Sequence, residues 1–252
     1  MKRFVMMHKA DANIEAGVKP SAELIARMGE LIGEMSSTGA FLAGEGLLPT
    51  SQGVRVRFTK GKRSVTRGPF VGSNELVASF AMIRVNSLDE AIECASRIGR
   101  VLGDADLYIG RVNEPWDIGL MPKPKGRATR YLILRKSDAK SEASDALDAD
   151  IQAGLRPVID DMTKAAVLLA AERLLPSKTG VRLTISKNKL TTVDGPFTES
   201  KELIAGYSIV RVATREETIV WAKRFGELLC EYTPVDSVEV DVRELADDSA
   251  FA

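Results

Sequence analysis

The ten residues from Val193 to Glu202, VDGPFTESKE, combine turn-forming residues with four ionisable side chains. Asp194 precedes a Gly-Pro pair, so one interpretation is a turn residue whose carboxylate accepts hydrogen bonds from backbone amides. The other is a general acid or base that is held at a strand end, faces a pocket and has a pKa shifted by burial. We therefore take Asp194 as the candidate catalytic residue, with Glu199 and Lys201 as candidate ligand-binding residues.

A second pair of carboxylates occupies matching positions in the two halves of the sequence. Glu45 is flanked by Gly44 and Gly46, and Glu172 occupies the matching position of a second copy of this stretch. Small neighbours can let a carboxylate approach a ligand closely, or can simply permit a tight backbone path. We include Glu45 and Glu172 as candidate ligand-binding residues. The glycines are not a dinucleotide fingerprint, because Pro49 occupies the third glycine position and no βαβ unit surrounds them.

Other catalytic and metal-binding arrangements are missing from the sequence. His8 is the single histidine, and a lone histidine at a strand end is more often a hydrogen-bonded structural residue than a base or metal ligand. Cys94 and Cys230 lie in separate predicted helices without metal-ligand spacing, and we expect two buried free thiols. The sequence also contains no nucleophile elbow. We expect no metal and no cofactor.

The overall composition argues against several partners. The 252 residues carry 35 basic and 35 acidic side chains, so no global field would draw the chain to nucleic acid or to an anionic membrane. The basic hairpin between Arg55 and Arg67 lacks the aromatic platform of RNA-binding sheets and is interpreted as solvated. No stretch approaches a membrane span, and the apolar run from Phe4 to Met7 is too short for a signal-peptide core. We expect a cytoplasmic protein with a small-molecule partner.

The sequence repeats itself at an offset of 127 residues. Positions 41–93 match positions 168–220 with 22 identities in 53 positions and no gap, which indicates a duplication. We assign the copies to residues 1–112 and 130–245, joined by a linker at 113–129 that is rich in proline, glycine and lysine.

The copies differ within the ten-residue stretch. Gly-Pro-Phe and the final glutamate occur in both copies, at positions 68–70 and 75 and again at 195–197 and 202. The first copy has Arg67, Gly72 and Asn74 where the second copy has Asp194, Glu199 and Lys201. The shared residues are therefore expected to build the turn, and any function is expected to reside in Asp194, Glu199 and Lys201.

The elements that must position these residues follow the same order in each copy. A short apolar strand precedes a helix whose apolar positions have the 4, 3, 1, 3 spacing of one helix face. These positions are Leu24, Met28, Leu31, Ile32 and Met35 in the first copy and Ile151, Leu155, Val158, Ile159 and Met162 in the second. Three strands, a capped helix and a last strand follow, giving β-α-β-β-β-α-β. This order predicts an α+β fold of two ferredoxin-like repeats, with sheet packed against sheet as a pseudo-dimer within one chain.

The residues Asp194-Gly195-Pro196-Phe197-Thr198-Glu199-Ser200-Lys201-Glu202 resemble the DGPFAETKE signature of the YCII-related, or DGPF-domain, bacterial proteins. The segment 43–49, AGEGLLP, is similar to the GGEGLxP stretch of the same family. The resemblance implies a dimeric α+β barrel fold, here formed within one chain, and a family whose biochemical role is largely unassigned. Related YCII-like and muconolactone-isomerase-like proteins suggest isomerase or lyase chemistry in a pocket between sheet and helices. Some YCII-like relatives are thought to use a His and Asp dyad, whereas this chain has His8 in one copy and Arg135 in its place in the other.

Two functions are consistent with these observations. The first is a cofactor-free isomerase or lyase in which Asp194 is the acid or base and Glu172 and Lys201 orient or neutralise the ligand. The second is a noncatalytic ligand-binding or regulatory module. Because each copy supplies the surface that a partner would otherwise cover, we expect a monomer with an internal pseudo-dimer, or a homodimer of that unit.

Overall fold

The computed structural model describes residues 1–72, 76–187, 189–197 and 203–247. These ranges contain twelve strands, six α-helices and two short 3-10 helices. The strands are β1 (Lys2–Lys9), β2 (Phe41–Gly46), β3 (Val54–Thr59), β4 (Lys62–Arg67), β5 (Val77–Val85), β6 (Ala105–Arg111), β7 (Thr129–Lys136), β8 (Leu168–Arg173), β9 (Val181–Ser186), β10 (Lys189–Asp194), β11 (Ile204–Val212) and β12 (Ser237–Glu244). The helices are α1 (Ala12–Glu15), α2 (Ala22–Ser37), α3 (Leu88–Leu102), α4 (Ala139–Ala143), α5 (Ala149–Lys164) and α6 (Arg215–Tyr232).

The strands form two six-stranded antiparallel sheets. Sheet 1 has the order β10-β9-β12-β1-β11-β2, and sheet 2 has the order β4-β3-β6-β7-β5-β8. The first strand of each copy lies inside a sheet: Met6 of β1 pairs with Ser208 and Val242. In the same way, Ile133 of β7 pairs with Ala81 and Ile109.

Each sheet contains strands from both sequence copies. The segment β1–α2–β2 of the first copy joins β9–β12 of the second copy, and β7–α5–β8 of the second copy joins β3–β6 of the first. Shifting sheet 2 by one copy reproduces the strand order of sheet 1, so the two sheets are pseudo-symmetry equivalents. The folded units therefore cross the sequence boundary between the copies, as they do when identical elements are exchanged between protomers.

The two sheets pack face to face between two layers of helices. α2 and α6 cover the outer face of sheet 1, where Leu31 and Ala222 are buried, and α3 and α5 cover sheet 2. A third apolar core lies between the sheets. At its centre the rings of Phe80 and Tyr207, which are 127 residues apart, have centroids 4.9 Å from each other. This arrangement confirms the predicted α+β fold of two packed repeats.

Two strands were not predicted from the sequence. β2 and β8 are edge strands whose residues are mostly half-buried, and they do not show the alternation of apolar and polar residues that identifies a strand with one buried face. Glycine and alanine in β2, and alanine in β8, weaken the signal further. The predicted helix face is largely correct, since Leu24, Leu31 and Met35 are buried, but Ile32 is 37% exposed at its margin.

The segment between β6 and β7 contains neither helix nor strand, and it packs on the body of the protein. Glu114 within it is buried and accepts two hydrogen bonds from the guanidinium of Arg130, at 2.8 and 2.9 Å. We call residues 112–128 the connector. In the part of the chain that the structure describes, no helix is long and apolar enough to cross a membrane.

Candidate functional site

A cavity of about 870 Å³ lies at one end of sheet 1, beside α2 and α6. Its walls come from the end of β1, the loop that follows it, the turn after β2, the connector and the end of α6. We call it the His8 cavity. The lining residues used below are His8, Lys9, Asp11, Ile14, Lys19, Leu24, Gly46, Arg111, Asn113, Asp117, Ile118, Leu229, Ser237 and Glu239. Its size is within the range of pockets that bind small organic molecules.

The loop after β1 is held in shape by Asp11. Its Oδ1 accepts hydrogen bonds from the amides of Asn13 and Ile14, at 2.7 and 2.9 Å, and so caps the single turn of α1. Gly17 then adopts a φ of +73°, which favours glycine, and turns the chain toward α2. Local turn chemistry therefore places the loop as one wall of the cavity.

His8 lies near the end of β1, between Gly206 of β11 and Val240 of β12. Its side chain is partly buried, and its ring centroid is 5.1 Å from that of Phe225 in α6. A Cβ on residue 206 would be 2.5 Å from Cε1 of His8, so this position of the imidazole requires glycine at 206. The strand neighbour thus makes room for the ring at the cavity.

The imidazole of His8 is neutral at neutral pH. Burial lowers its pKa from 6.5 to about 4, the nearby charge of Asp11 opposes this shift, and the charge of Lys9 adds to it. A neutral imidazole has one nitrogen that donates a hydrogen bond and one that accepts. The ring can therefore accept a proton from a bound molecule or form a hydrogen bond with a polar group of that molecule.

Lys9 is buried beside the cavity and is bound by a carboxylate. Its Nζ is 2.7 Å from Oδ2 of Asp241. Arg182 also donates to this carboxylate, to Oδ1 at 2.7 Å and to Oδ2 at 3.0 Å. Burial opposes the ionisation of Asp241, but Lys9 and Arg182 outweigh it and hold the pKa of this carboxyl below its usual value. These charges are therefore compensated inside the protein, beside the cavity.

Asp194 lies outside this cavity lining. It is the last residue of β10, its side chain is 73% exposed, and its Oδ1 is 2.9 Å from Nη1 of Arg215. The turn that follows it is built from other groups: the amide of Phe197 donates to Oγ of Ser177 at 3.0 Å. The catalytic role of Asp194 therefore stays a prediction, and its surroundings are those of a surface ion pair.

The Gly-Pro-Phe turns of the two copies have the same construction. The amide of Phe70 donates to Oγ1 of Thr50 at 3.1 Å, which matches the bond from Phe197 to Ser177. The guanidinium carbons of Arg55 and Arg182 lie 4.7 and 4.6 Å from the ring centres of the respective phenylalanines. These repeated contacts agree with the prediction that the shared residues build the turn.

Glu45 and Glu172 lie apart from the cavity lining, in equivalent ion pairs between the sheets. Arg130 of sheet 2 binds both carboxylate oxygens of Glu45 in sheet 1, one of them at 3.1 Å. Arg3 of sheet 1 donates to Oε1 of Glu172 in sheet 2 at 2.6 Å. Their shared geometry explains why both copies have a glutamate here, while ligand binding by either residue stays a prediction. The predicted residues Glu199 and Lys201 lie outside the described residues.

The opposite end of the molecule contains the pseudo-symmetric counterpart of the cavity, and it is nearly closed. Arg135 replaces His8, Ser79 replaces Gly206 and Arg173 replaces Gly46. The space that these residues line has a volume of about 30 Å³, comparable to one water molecule. Nη2 of Arg135 is 2.9 Å from Oδ2 of Asp138, the counterpart of Asp11.

The sequence alone favoured a structural role for His8, because a lone histidine without a repeated partner is usually structural, whereas the structure places it in the cavity lining. The signal that could have identified it is the change from histidine to arginine between copies that are otherwise well matched. Lys9 also lines the cavity, and its buried partner Asp241 is a strand residue that no sequence motif marks. Among the described residues, no group of three or more histidine, cysteine, aspartate or glutamate side chains is placed to hold a metal ion.

Comparison with known proteins gives one match. A family model described as the YCII-related domain matches residues 2–106 and again residues 129–227. No curated protein and no solved structure shows significant similarity to the chain. The matches cover most of the sequence and occur once in each copy. The chain therefore belongs to the YCII-related domain family and contains the domain twice in tandem.

Proposed function

We propose that the His8 cavity binds a small organic molecule and that His8 moves a proton on it, as a cofactor-free isomerase or lyase would require. The observation that carries the proposal is the 870 Å³ cavity at His8, compared with about 30 Å³ at the equivalent Arg135 end. A pocket that persists at one of two related positions and contains a neutral imidazole is a default candidate for a ligand site.

The chemistry follows from the protonation state of His8. A neutral imidazole can take a proton from a carbon or hydroxyl of the ligand and return it to a neighbouring atom, which isomerises the molecule. If the electron pair left behind expels a leaving group instead, the result is an elimination. The carboxylate of Asp11, which lines the same cavity, would stabilise the imidazolium that forms in either reaction.

A second function, noncatalytic ligand binding, is favoured by the pKa of the same residue. With a pKa of about 4, His8 is a weak base at neutral pH, whereas an efficient general base has a pKa near the working pH. In this function the imidazole donates and accepts hydrogen bonds, and no bond is broken.

Asp194 is the competing candidate for the acid or base, with Glu172 and Lys201 orienting the ligand. A thermal-shift screen of a metabolite library separates the two sites. We expect compounds that raise the melting temperature of the wild type to lose most of that effect in His8→Gln and to keep it in Asp194→Asn. The converse pattern would assign the ligand site to the ten-residue stretch at Asp194. A library without any stabilising compound would contradict the proposed pocket. Turnover of a stabilising compound, followed by NMR, then decides between catalysis and binding.

The proposed cellular setting is the cytoplasm, supported by the two cysteines, which are free: Cys230 is buried and Cys94 is partly buried. We further propose that the chain is a monomer, because each sheet already covers the other. Light scattering should then give the mass of one chain, 27.4 kDa. Twice that mass would support the homodimer of pseudo-dimers instead.

A further inference from the structure

The charged groups of the His8 cavity are mostly compensated by the protein itself. Nη2 of Arg111 is 2.8 Å from Oδ1 of Asp117 in the connector, so these two lining charges cancel. Lys9 is bound by Asp241, and Oε1 of Glu239 is 3.3 Å from Nε of Arg182. A ligand gains little from charges that already have a partner at this distance.

Two lining charges have no ion-pair partner among the described residues. The carboxylate of Asp11 accepts hydrogen bonds from two backbone amides, and it is near enough to His8 for its charge to act on the imidazole. Lys19 is exposed on the loop before α2, and no described carboxylate lies within ion-pair distance of its ammonium. The cavity therefore has a negative group near His8 and an available positive group on the loop at its edge.

The wall between these groups includes apolar side chains from three separate elements. Ile14 comes from α1, Leu24 from α2 and Leu229 from α6, and Ile118 of the connector adds a fourth contact. An apolar body would be removed from water against these side chains, while a negatively charged group would be repelled from the Asp11 side.

We infer that the natural ligand is an amphipathic monoanion, such as a carboxylate with an apolar body, whose charge contacts Lys19 and whose body extends toward His8. This inference rests on the proposed function and adds the chemical class of the ligand. It also assigns Lys19 as the residue that selects an anion. Because Lys19 is exposed, its contribution is that of a single partly solvated ion pair.

Two fluorescent probes that differ by one charge test the inference. 8-Anilinonaphthalene-1-sulfonate is an amphipathic monoanion, and N-phenyl-1-naphthylamine has the same skeleton without the sulfonate. Each probe is titrated into wild type, Lys19→Met and Lys19→Glu. Comparing the two probes measures how much the negative charge contributes to the binding affinity, because the apolar skeleton is the same in both. We expect Lys19→Met to weaken binding of the sulfonate about threefold to fivefold and Lys19→Glu to weaken it about tenfold. Binding of the neutral probe should change less than about twofold.

Two further variants locate the probes. Lys125→Met removes an exposed lysine of the connector that is not part of the cavity lining, and it should change neither affinity. Ser237→Trp fills the cavity from an exposed lining position and should abolish binding of both probes.

The failures of the two ideas are distinguishable. If Ser237→Trp abolishes binding but the Lys19 variants leave the sulfonate affinity unchanged, the anion inference is overturned and the pocket survives. If neither probe binds the wild type, or if Ser237→Trp leaves both affinities unchanged, the proposed function fails and the inference fails with it.

Discussion

The His8 end and the Arg135 end of the molecule occupy equivalent positions in the pseudo-symmetric fold, yet one is open and the other is nearly filled. Three replacements accompany the difference: His8 by Arg135, Gly206 by Ser79 and Gly46 by Arg173. At each position the larger or longer side chain is at the closed end. A duplicated chain can thus keep one pocket and fill the other without changing the strand order of either sheet.

The regions that did not diverge are equally informative. In both copies a hydroxyl oxygen accepts a hydrogen bond from the amide of the turn phenylalanine. The hydroxyl belongs to Thr50 for Phe70 and to Ser177 for Phe197. Both also retain an ion pair between the sheets, made by Glu45 and Glu172. The shared residues hold the frame together, so the search for function belongs at the positions where the copies differ.

The connector adds a second asymmetry, because it contributes Asn113, Asp117 and Ile118 to the wall of the His8 cavity. Among the described residues that line the closed end, none belongs to the connector. The pair between Arg111 and Asp117 fixes the segment in place. The linker is therefore part of the candidate site.

The largest predicted effect concerns a feature that both copies share. A Cβ on residue 195 would be 1.7 Å from the backbone oxygen of Ser177, and one on residue 68 would be 1.8 Å from that of Thr50. We expect Gly195→Ala and Gly68→Ala each to lower the free energy of unfolding by at least about 3 kcal/mol, because backbone must move. Urea denaturation measures both, with Gly61→Asn at a solvent-exposed turn as a mild control. A large loss in only one copy would contradict the equivalence of the turns.

The next effect is specific to the open end and depends on pH. Because the pKa of His8 is lowered from 6.5 to about 4 on folding, the unfolded chain binds a proton in this window while the folded chain does not. The contribution of His8 is therefore fully present above pH 6.5 and is lost as the pH falls toward 4, by up to about 3 kcal/mol.

The variant His8→Gln should lack this pH-dependent contribution. As the pH falls from 7 to 4, the free energy of unfolding of the wild type should therefore decrease more than that of the variant. Urea denaturation at each pH measures both. Parallel pH profiles for wild type and His8→Gln would show that the imidazole is solvated in the folded protein.

A smaller effect is predicted for a variant that places a side chain of the closed end at the equivalent position of the open end. Gly46→Arg copies Arg173 into the His8 cavity, where a Cβ on residue 46 meets only the Cβ of Asn113 at 3.7 Å. We expect binding of the neutral probe N-phenyl-1-naphthylamine to weaken at least about tenfold, because the added side chain occupies its space. Arg173→Gly, the reverse change at the other end, should leave this binding intact. Unchanged binding by Gly46→Arg would show that residue 46 does not control the volume of the cavity.

The smallest effect is predicted for Asp194. Its ion pair with Arg215 is exposed, so Asp194→Asn should change the free energy of unfolding by less than about 1 kcal/mol. Thermal melts of Asp194→Asn and Arg215→Gln should agree closely. A stabilising ligand whose effect disappears in Asp194→Asn while the fold is unaffected would restore the original catalytic assignment of this residue.

Much of the fold could be predicted from the sequence because its signals are local and occur twice. The apolar face of α2, the hydroxyl caps at Ser87 and Thr214, and the alternation in β3 and β9 depend on neighbours within a few residues. β2 and β8 were missed, because an edge strand with small residues has no such local pattern.

The candidate site was harder to predict from the sequence, for a physical reason. Asp194, in a motif that is visible along the chain, lies at the surface, whereas the cavity is formed by His8, Lys19, Asp117 and Ser237 from distant segments. No periodicity or spacing connects these residues, since their proximity depends on which strands pair.

The sequence by itself determined that the protein is a duplicated α+β chain of the YCII-related kind, because composition, periodicity and the 127-residue repeat are properties of neighbouring and matching residues. Only the tertiary structure decided that strands of the two copies are exchanged between the sheets. That exchange places His8 of the first copy in the same sheet as Asp194 of the second. The choice of pairing partners rests on long-range burial and backbone hydrogen bonds, which local sequence patterns do not encode.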